Sequence, residues 1–345
     1  MIKDIIKNSD YVIITSGAGM GADSGLATFR GDKGMWKTSS GKSKSYMEMA
    51  NPKLFFKDPN EAWGFYGDRY NVYKKTKPHK GFDILKQLVD TKKGYFIFTS
   101  NVDGHFQKAG FDENKIVECH GTINYFQCIN NCTDEIWTEN LNIKVDKLIA
   151  KNPLPKCKNC GGIARPNILM FGDDYWNSKR TDEQIDRMTD FMSKINDKTV
   201  IIEIGAGLEV PTVRSKGEVL SLRYRIPLIR INPIDLDAHL PCTMIPVKMN
   251  GLEGIEYITK DFMSDKIFNK LDKQIERDEK TKEIFAKIDS QIEEVFGEEE
   301  EEITITKKDL KDIIESETDR IYKRIAEAGI YKDRRKKELK EYKEE

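Results

Sequence analysis

No stretch of this 345-residue chain approaches the roughly 18 consecutive apolar residues of a membrane-spanning helix. The first residues, MIKDIIKNSD, lack the apolar run of a signal peptide. They also contain two aspartates, a residue type that transit peptides avoid. The sequence therefore predicts an intracellular, cytoplasmic protein with no membrane partner.

Neither sign of charge is in excess, because 57 Lys and Arg residues are balanced by 58 Asp and Glu residues, for a formal net charge of −1. Charged residues make up 33% of the chain and are mixed along it, without an evident basic face. Proteins that bind nucleic acids neutralise phosphates with clustered Lys and Arg. We therefore expect no nucleic-acid partner.

Cysteine is also scarce, and six residues are too few for a disulfide scaffold in a chain of this length. Their spacing is more informative. Four of them form a C-x3-C and a C-x2-C motif, and the second motif is followed by two glycines. Two such knuckles suit a closed, tetrahedral zinc site with a structural role. The predicted zinc ligands are Cys128, Cys132, Cys157 and Cys160. A redox pair or unrelated buried thiols are the alternatives.

A glycine-rich segment follows the first apolar run, and residues 11–30 read YVIITSGAGMGADSGLATFR. The apolar start predicts a buried strand, and Gly17, Gly19 and Gly21 predict a turn onto a helix. Such a turn lets the backbone approach a pyrophosphate, although an ordinary tight turn has the same appearance. A dehydrogenase would carry an acidic residue about 20 positions further on, at the end of a second strand. No convincing candidate is present, which disfavours a dehydrogenase.

Further apolar runs predict four more buried strands, separated by helical stretches. These runs are Tyr95–Thr99, Ile116–Glu118, Thr199–Ile204 and Ile226–Ile231. Each ends in glycine, asparagine, histidine or another polar residue, and the run Arg165–Asp173 is strand-like as well. The alternation of strands and helices predicts the α/β class, with a doubly wound, Rossmann-like parallel sheet.

Polar residues stand directly after two of these strands, in the motifs S-N-V-D and C-H-G. In an open parallel sheet, ligands bind beyond the carboxyl ends of the strands. We therefore expect Ser100, Asn101, Asp103 and His120 to surround one site. A lone histidine is more often structural than catalytic, but the place of His120 between a strand and a glycine favours a function.

The length of the chain allows two or three domains, or one enlarged α/β domain with insertions. We predict a catalytic domain over residues 1–265, with a helical insertion at about 38–80 and the zinc module at about 124–166. Residues 266–345 are highly charged and carry two apolar helical stripes. They predict a helical extension, formed either by docked helices with a solvated tail or by a surface for self-association.

Taken together, these motifs resemble those of sirtuins, the Sir2 family of NAD-dependent protein-lysine deacylases. The similarity covers roughly residues 5–260 and rests on GAGMGADSGLATFRG, SNVD, CHG, the four-cysteine module, RPNILMFGD and the late GAG and IN motifs. The resemblance implies NAD as co-substrate, one structural zinc ion and an acylated-lysine protein or peptide as partner. The implied products are free lysine, nicotinamide and O-acyl-ADP-ribose.

The same resemblance implies a role for each matching residue. His120 would be the general base, with Asn101 and Asp103 beside it in the ribose and nicotinamide pocket. The strand segment Met170, Phe171 and Gly172 would pair with the substrate peptide. The residues implied to contact NAD are Gly17, Ala18, Gly19, Phe29, Arg30, Ser100, Asn101, Asp103, Gly205, Ala206, Gly207 and Asn232.

Tyr66 and Arg69 match the Tyr-x-x-Arg pair of desuccinylase-type sirtuins. At a spacing of i, i+3 both side chains project from one helix face, and a guanidinium binds a distal carboxylate through two parallel hydrogen bonds. The resemblance therefore implies removal of succinyl, malonyl or glutaryl groups at least as readily as acetyl. The other interpretation is a surface arginine packed on a tyrosine.

Several positions differ from the common sirtuin pattern. Ser100 replaces a glutamine, Gly21 a serine and Ala27 a frequent proline, and residues 205–207 read G-A-G in place of G-T-S. These changes remove hydrogen-bonding groups next to NAD, which keeps other functions open. The alternatives are mono-ADP-ribosyl transfer or NAD hydrolysis in the same pocket, and a non-catalytic module that binds an NAD metabolite.

Overall fold

A computed structural model describes residues 2–27, 35–37 and 43–260. The predicted NAD contacts Phe29 and Arg30 lie outside the described residues, as does the predicted self-association surface within residues 266–345. The chain separates into two compact units, Met1–Thr259 and Lys260–Glu345. All described helices and strands belong to the first unit.

Ten α-helices and thirteen β-strands are described, numbered here in chain order. They are α1 Ile2–Asn8, β1 Tyr11–Ser16, α2 Gly19–Ala22, β2 Met35–Lys37, β3 Ser43–Ser45, α3 Tyr46–Met49, α4 Lys53–Lys57, α5 Pro59–Lys75, α6 Lys80–Asp90, β4 Gly94–Thr99, α7 His105–Lys108, β5 Ile116–Glu118, β6 Gly121–Cys128, β7 Trp137–Thr138, β8 Val145–Asp146, β9 Ile149–Ala150, β10 Ala164–Ile168, α8 Lys179–Met192, β11 Thr199–Ile204, α9 Thr212–Tyr224, β12 Leu228–Ile231, β13 Met244–Val247 and α10 Gly251–Thr259.

The central sheet has six strands in the order β13-β12-β11-β1-β4-β5, and every neighbouring pair is parallel. Its inner strands are buried on both faces, which explains their nearly continuous apolar sequence. Helices α8 and α9 contribute to the core on one face, and α1, α6 and α10 pack with one another and against the sheet. The predicted doubly wound parallel sheet is confirmed.

The sixth strand, β13, was absent from the five strands predicted from the sequence. It is a short edge strand, Met244–Val247, and its burial alternates between buried and partly exposed residues. Pro246 lies within it, paired in register with Arg230. Proline within an apolar run argues against a central strand but is tolerated at an edge. The edge position therefore explains why the sequence pattern was weak.

A second layer combines the aromatic helices α3, α4 and α5 with a three-stranded sheet of order β10-β6-β7. Trp63 of α5 is fully buried in this layer and donates a hydrogen bond to the carbonyl oxygen of Ala164. Close contact with β9 requires a glycine, because a Cβ on Gly64 would lie 1.9 Å from the carbonyl oxygen of Leu148. Helix α5 is therefore packed directly on the segment that contains the four cysteines.

The strand-like run Arg165–Asp173 is shorter than its apolar pattern predicts. Strand β10 ends at Ile168 and pairs antiparallel with β6, outside the parallel sheet. The chain then folds back, so that the carboxylate of Asp173 meets the guanidinium of Arg165, with both side chains fully buried. The buried ion pair requires this reversal, because a continuous strand would carry Asp173 away from Arg165.

No helix in the described part of the chain has the length and apolar character needed to cross a membrane.

Candidate functional site

A cavity lies beyond the carboxyl ends of β11, β1, β4 and β5, four neighbouring strands of the parallel sheet. From β1 the chain first adds β4 and β5 on one side, and later β11, β12 and β13 on the other side. The sheet therefore has a topological switch point between β1 and β11, and ligands bind at such points in open α/β sheets. Most of the predicted site residues meet in its wall. They are Gly17, Ala18, Gly19, Tyr66, Arg69, Ser100, Asn101, Asp103, His120, Gly205, Ala206 and Gly207.

Two glycine turns form one side of the cavity and touch each other through their backbones. A Cβ on Gly17 would lie 2.7 Å from the carbonyl oxygen of Gly205, and one on Gly19 would lie 2.6 Å from the Cα of Gly205. The amide N–H of Gly19 donates to that same carbonyl oxygen at 3.0 Å. Gly205 has φ 61°, in the left-handed region that favours glycine. The close contact between the two turns therefore requires glycine at positions 17, 19 and 205.

Hydroxyl groups connect the ends of β1 and β4 below the cavity. The hydroxyl of Ser16 donates to Oγ1 of Thr99 at 2.8 Å, and the hydroxyl of Thr99 in turn donates to the carbonyl oxygen of Ser16. The backbone N–H of Asn101 donates to Oγ1 of Thr99 at 3.0 Å. All three residues belong to adjacent strand ends, so the bonds hold Asn101 in place at the cavity wall.

Asp103 is a buried carboxylic acid in the cavity wall, only 7% exposed. The backbone N–H of His105 donates to its Oδ1 at 2.9 Å. Burial nevertheless outweighs this hydrogen bond and the nearby Lys108, and it raises the pKa of Asp103 to about 6. The carboxyl group therefore changes its charge near physiological pH.

This raised pKa makes stability depend on pH. An unfolded aspartate has a pKa of about 3.9. Because the folded protein holds the proton more tightly, the contribution of Asp103 to stability is largest below pH ~4 and is lost as the pH rises through about 6. Asp103→Asn keeps an oxygen acceptor for His105 and removes the buried charge. We expect it to raise the free energy of unfolding by about 3 kcal/mol at pH 8, and by about 1 kcal/mol at pH 4.5.

Urea denaturation of both proteins at the two pH values measures this difference. Asp174→Asn, a change at an exposed aspartate, is the matched control. An equal difference between Asp103→Asn and the unchanged protein at both pH values would show that the buried carboxyl group is not the cause.

His120 follows β5 and precedes Gly121, whose φ of 72° and close approach to Asn167 require a glycine. The imidazole ring is partly exposed and lines the cavity. Burial lowers the pKa of His120 to about 4. Its Nε2 lies 3.3 Å from Oγ1 of Thr212, the first residue of α9. The ring is therefore neutral at physiological pH and able to accept a proton.

Tyr66 and Arg69 of α5 line the cavity as well, together with Tyr73 of the same helix. The guanidinium of Arg69 lies 3.6 Å from the ring centroid of Phe65 and donates to the backbone oxygen of that residue at 3.3 Å. Burial raises the pKa of the Tyr66 and Tyr73 phenols well above the usual range. Arg69 is 6% exposed and lies in the wall of the cavity, which excludes the interpretation as a surface arginine.

Tyr46 and Tyr73 also line this part of the cavity, and the sequence interpretation assigned them no site role. Tyr73 is detectable in the sequence, because it stands four residues after Arg69 on the same helix face. Tyr46 lies on another helix, α3, so no spacing rule relates it to Tyr66. Arg69 thus shares the cavity wall with three tyrosines, and its guanidinium carbon lies 5.9 Å from the ring centroid of Tyr46.

Two groups of predicted residues are placed differently. Asn232 is 1% exposed and supports the second glycine turn from behind, because its side chain donates to the carbonyl oxygen of Ala206 at 2.9 Å. Within Met170–Gly172, the N–H of Met170 donates to Asp173 and that of Phe171 to Ala50. Gly172 faces open space. The neighbouring residues Ile168 and Leu169, rather than this segment, line the cavity.

The four predicted zinc ligands are brought together, with all Sγ atoms within 4.8 Å of one another. Cys128 and Cys160 are 3.6 Å apart, as are Cys132 and Cys157, so each close pair joins the two knuckles. A tetrahedral site with Zn–S bonds of about 2.3 Å requires S···S distances of about 3.8 Å. Backbone N–H groups of Asn130 and Gly162 donate to sulfur atoms of the cluster. The cluster fits a structural zinc ion.

Comparison with known proteins agrees with this architecture. The profile of the Sir2 family matches residues 17–212, more than half of the chain. An NAD-dependent protein deacetylase of Saccharolobus solfataricus is 32% identical over 217 residues, which cover 61% of this chain and 78% of that protein. The chain belongs to the Sir2 family.

The covered share differs among other similar proteins. An NAD-dependent protein deacylase of Aquifex aeolicus is 33% identical over 168 residues, 49% of this chain and 64% of that protein, so less than two thirds of its length is matched. A solved structure of a Sir2 homologue in complex with NAD has a TM-score of 0.58 at 23% identity and covers 75% of this chain and 91% of that one. At this identity the structural likeness establishes the fold.

Proposed function

We propose that this Sir2 protein is an NAD-consuming protein-lysine deacylase that releases nicotinamide, the free lysine and O-acyl-ADP-ribose. One observation carries the proposal most directly. The neutral imidazole of His120 lines the same cavity as the two glycine turns, Asn101 and Asp103. The cavity thus combines a base with polar groups suited to a dinucleotide, and the matched relatives are named NAD-dependent deacylases and deacetylases.

Different parts of the cavity bind different parts of NAD. The turns at 17–19 and 205–207 hold the phosphate and adenosine part of NAD, with Asn232 supporting the second turn through Ala206. Asn101 and Asp103 hold the ribose and the nicotinamide. The acyl oxygen of the substrate lysine attacks C1′ of the ribose, and nicotinamide leaves. His120 then accepts the proton of a ribose hydroxyl, which a neutral imidazole can do at pH 7.

We further propose that the acyl pocket takes acidic acyl groups, such as succinyl, malonyl or glutaryl. The buried guanidinium of Arg69 lies in the cavity wall beside Tyr66 and Tyr73. Its stacking on Phe65 and its hydrogen bond with the backbone oxygen of that residue hold it before a ligand enters. A carboxylate bound there gains charge-assisted hydrogen bonds that an acetyl group cannot form.

Arg69→Met tests this preference, because methionine removes the charge and keeps much of the volume. We expect kcat/KM for a succinyl-lysine peptide to fall by about 10- to 100-fold relative to the matching acetyl-lysine peptide. Arg69→Lys keeps a charge without the planar fork and should give an intermediate value. Both peptides are compared in one assay of nicotinamide release. An unchanged succinyl-to-acetyl ratio in Arg69→Met would discard the acidic-acyl proposal.

A second candidate function is ADP-ribosyl transfer to protein, or hydrolysis of NAD, in the same cavity. It is favoured by Ser100 and by the G-A-G turn at residues 205–207, where the family usually has longer or hydroxyl-bearing side chains near NAD. Fewer fixed hydrogen bonds leave more room for a different acceptor. A third candidate, an NAD-metabolite-binding module, is disfavoured because His120, Asn101 and Asp103 share one cavity.

Product analysis separates these functions. The full chain is incubated with NAD and a panel of acylated peptides, and every NAD-derived product is identified by mass spectrometry. O-acyl-ADP-ribose is expected for the deacylase. ADP-ribosylated protein or free ADP-ribose as the main product would transfer the assignment to the second function. A zinc-loaded protein that binds NAD without releasing nicotinamide would establish the third.

A further inference from the structure

The first turn of α9 brings a hydroxyl group to the imidazole of His120. Oγ1 of Thr212 lies 3.3 Å from Nε2, although the two residues are 92 positions apart in the chain. Thr212 is partly buried, and the next residue, Val213, lines the cavity. The contact between Thr212 and His120 therefore lies next to the cavity that both His120 and Val213 line.

Within residues 2–27, 35–37 and 43–260, the hydrogen bond with Thr212 is the one polar side-chain contact of this imidazole, and no carboxylate shifts its pKa. Many catalytic histidines are oriented by a carboxylate or a backbone carbonyl at the second nitrogen. Here the group at Nε2 is a hydroxyl, which leaves the proton of the neutral ring on Nδ1 when it donates to Nε2.

Hydrogen bonds of Arg214 anchor the first turn of helix α9, which also carries Thr212. Arg214, two residues further on, is 1% exposed. Its guanidinium donates to the carbonyl oxygens of Ala206, Asp235 and Asp237 at distances of 2.6 to 3.1 Å. One helical turn thus connects the second glycine turn of the cavity to the imidazole of His120.

On the basis of the function proposed above, we infer that Thr212 is a positioning residue that holds His120 in the tautomer with the proton on Nδ1. The hydroxyl of Thr212 donates to Nε2, so that this nitrogen keeps its lone pair. When substrate is bound, a ribose hydroxyl takes the place of the Thr212 hydroxyl at Nε2. The ribose O–H bond then breaks and an N–H bond forms at Nε2, which leaves an imidazolium and a ribose alkoxide.

Nuclear magnetic resonance of the full chain, labelled with ¹⁵N-histidine and free of ligands, tests the tautomer without any assumption about the reaction. The chain has four histidines, and His120→Gln identifies the His120 signals by their loss. We expect the ring nitrogen shifts at pH 7 to report Nδ1–H in the unchanged protein. Thr212→Val, which replaces the hydroxyl by a methyl group, should move the population toward Nε2–H. An Nε2–H ring in the unchanged protein, or identical spectra in both, would overturn the inference.

Kinetics of nicotinamide release provide the second test. Loss of this hydrogen bond, which orients the ring in the free protein, should lower kcat/KM for NAD of Thr212→Val by about tenfold. Thr212→Ser restores the hydroxyl and should restore kcat/KM. Thr189→Val makes the same substitution on the exposed face of α8 and should leave kcat/KM unchanged. Thermal melts confirm that each variant is folded.

An unchanged kcat/KM for NAD in Thr212→Val, or a Thr212→Ser variant as impaired as Thr212→Val, would rule out positioning by the hydroxyl. Different results would refute the proposed function and the inference about Thr212. If the unchanged protein releases no nicotinamide under any acceptor, the proposed function is wrong, and the ¹⁵N spectra still decide whether Thr212 sets the tautomer of His120.

Discussion

Replacement of His120 by alanine is expected to lower the rate of nicotinamide release by about 100- to 10,000-fold, the range that a positioned general base contributes. The imidazole lines the cavity, and its lowered pKa keeps it neutral and able to accept a proton at physiological pH. Alanine removes the base without adding bulk, so binding of NAD should change little. Steady-state assays over a range of NAD concentrations separate kcat from KM.

The pH dependence of the rate should report the charge of Asp103 rather than that of His120. Because burial lowers the pKa of His120 to about 4, its neutral form persists over the whole range above that pH. An acid limb near pH 6 is expected from Asp103, which loses its charge there as the pH falls. Asp103→Asn should therefore abolish the limb. A limb that survives this substitution would have to be assigned to another group.

His239→Ala is the matched control for the histidine substitution, because His239 is exposed and lies outside the cavity wall. It should retain the activity of the unchanged protein. If His120→Ala releases nicotinamide at the same rate as His239→Ala, the imidazole is not the base, and the proposed chemistry fails at its central step.

Removal of the metal from the four-cysteine cluster should have the largest effect on structure. Zinc binding contributes about 10–16 kcal/mol of apparent free energy in small zinc peptides, as much as the whole stability of a typical domain of about 5–15 kcal/mol. Of the strands around the cluster, β7 has only two residues and β10 only five. We therefore expect Cys128→Ser, or treatment with a chelator, to unfold the module cooperatively. Circular dichroism melts measure the loss.

The effect should extend to the acyl pocket, because α5 is anchored on the cysteine module. Asn60 donates to the carbonyl oxygen of Ala150, and Asn71 to that of Ile143. Without these partners the helix that carries Tyr66 and Arg69 loses its support. Turnover of acylated peptides should therefore be lost along with the zinc.

Metal analysis is expected to find one zinc ion per chain, and none in Cys128→Ser. Cys242→Ser is the control, since Cys242 stands apart from the cluster and should leave metal content and melting unchanged. A metal-free protein that melts at the same temperature as the zinc-loaded one would show that the cluster does not hold a structural ion.

The sequence by itself determined the features that depend on neighbours in the chain. Apolar runs of strand length between helical segments determined the parallel sheet, because burial on both faces leaves a continuous apolar pattern. Knuckle spacing determined the cysteine cluster, since each pair of ligands comes from one tight turn. Polar residues that follow neighbouring strands must meet at one edge, which explains why His120, Asn101 and Asp103 share a cavity.

Only the tertiary structure decided contacts between distant segments, for which no local periodicity exists. It packs Gly19 against Gly205 and turns Asp173 back onto Arg165. It also places Thr212 against His120 across 92 positions of sequence. These contacts depend on how β1, β5, β11 and α9 pack in space. Local sequence patterns record the burial of a residue but not the identity of its partner.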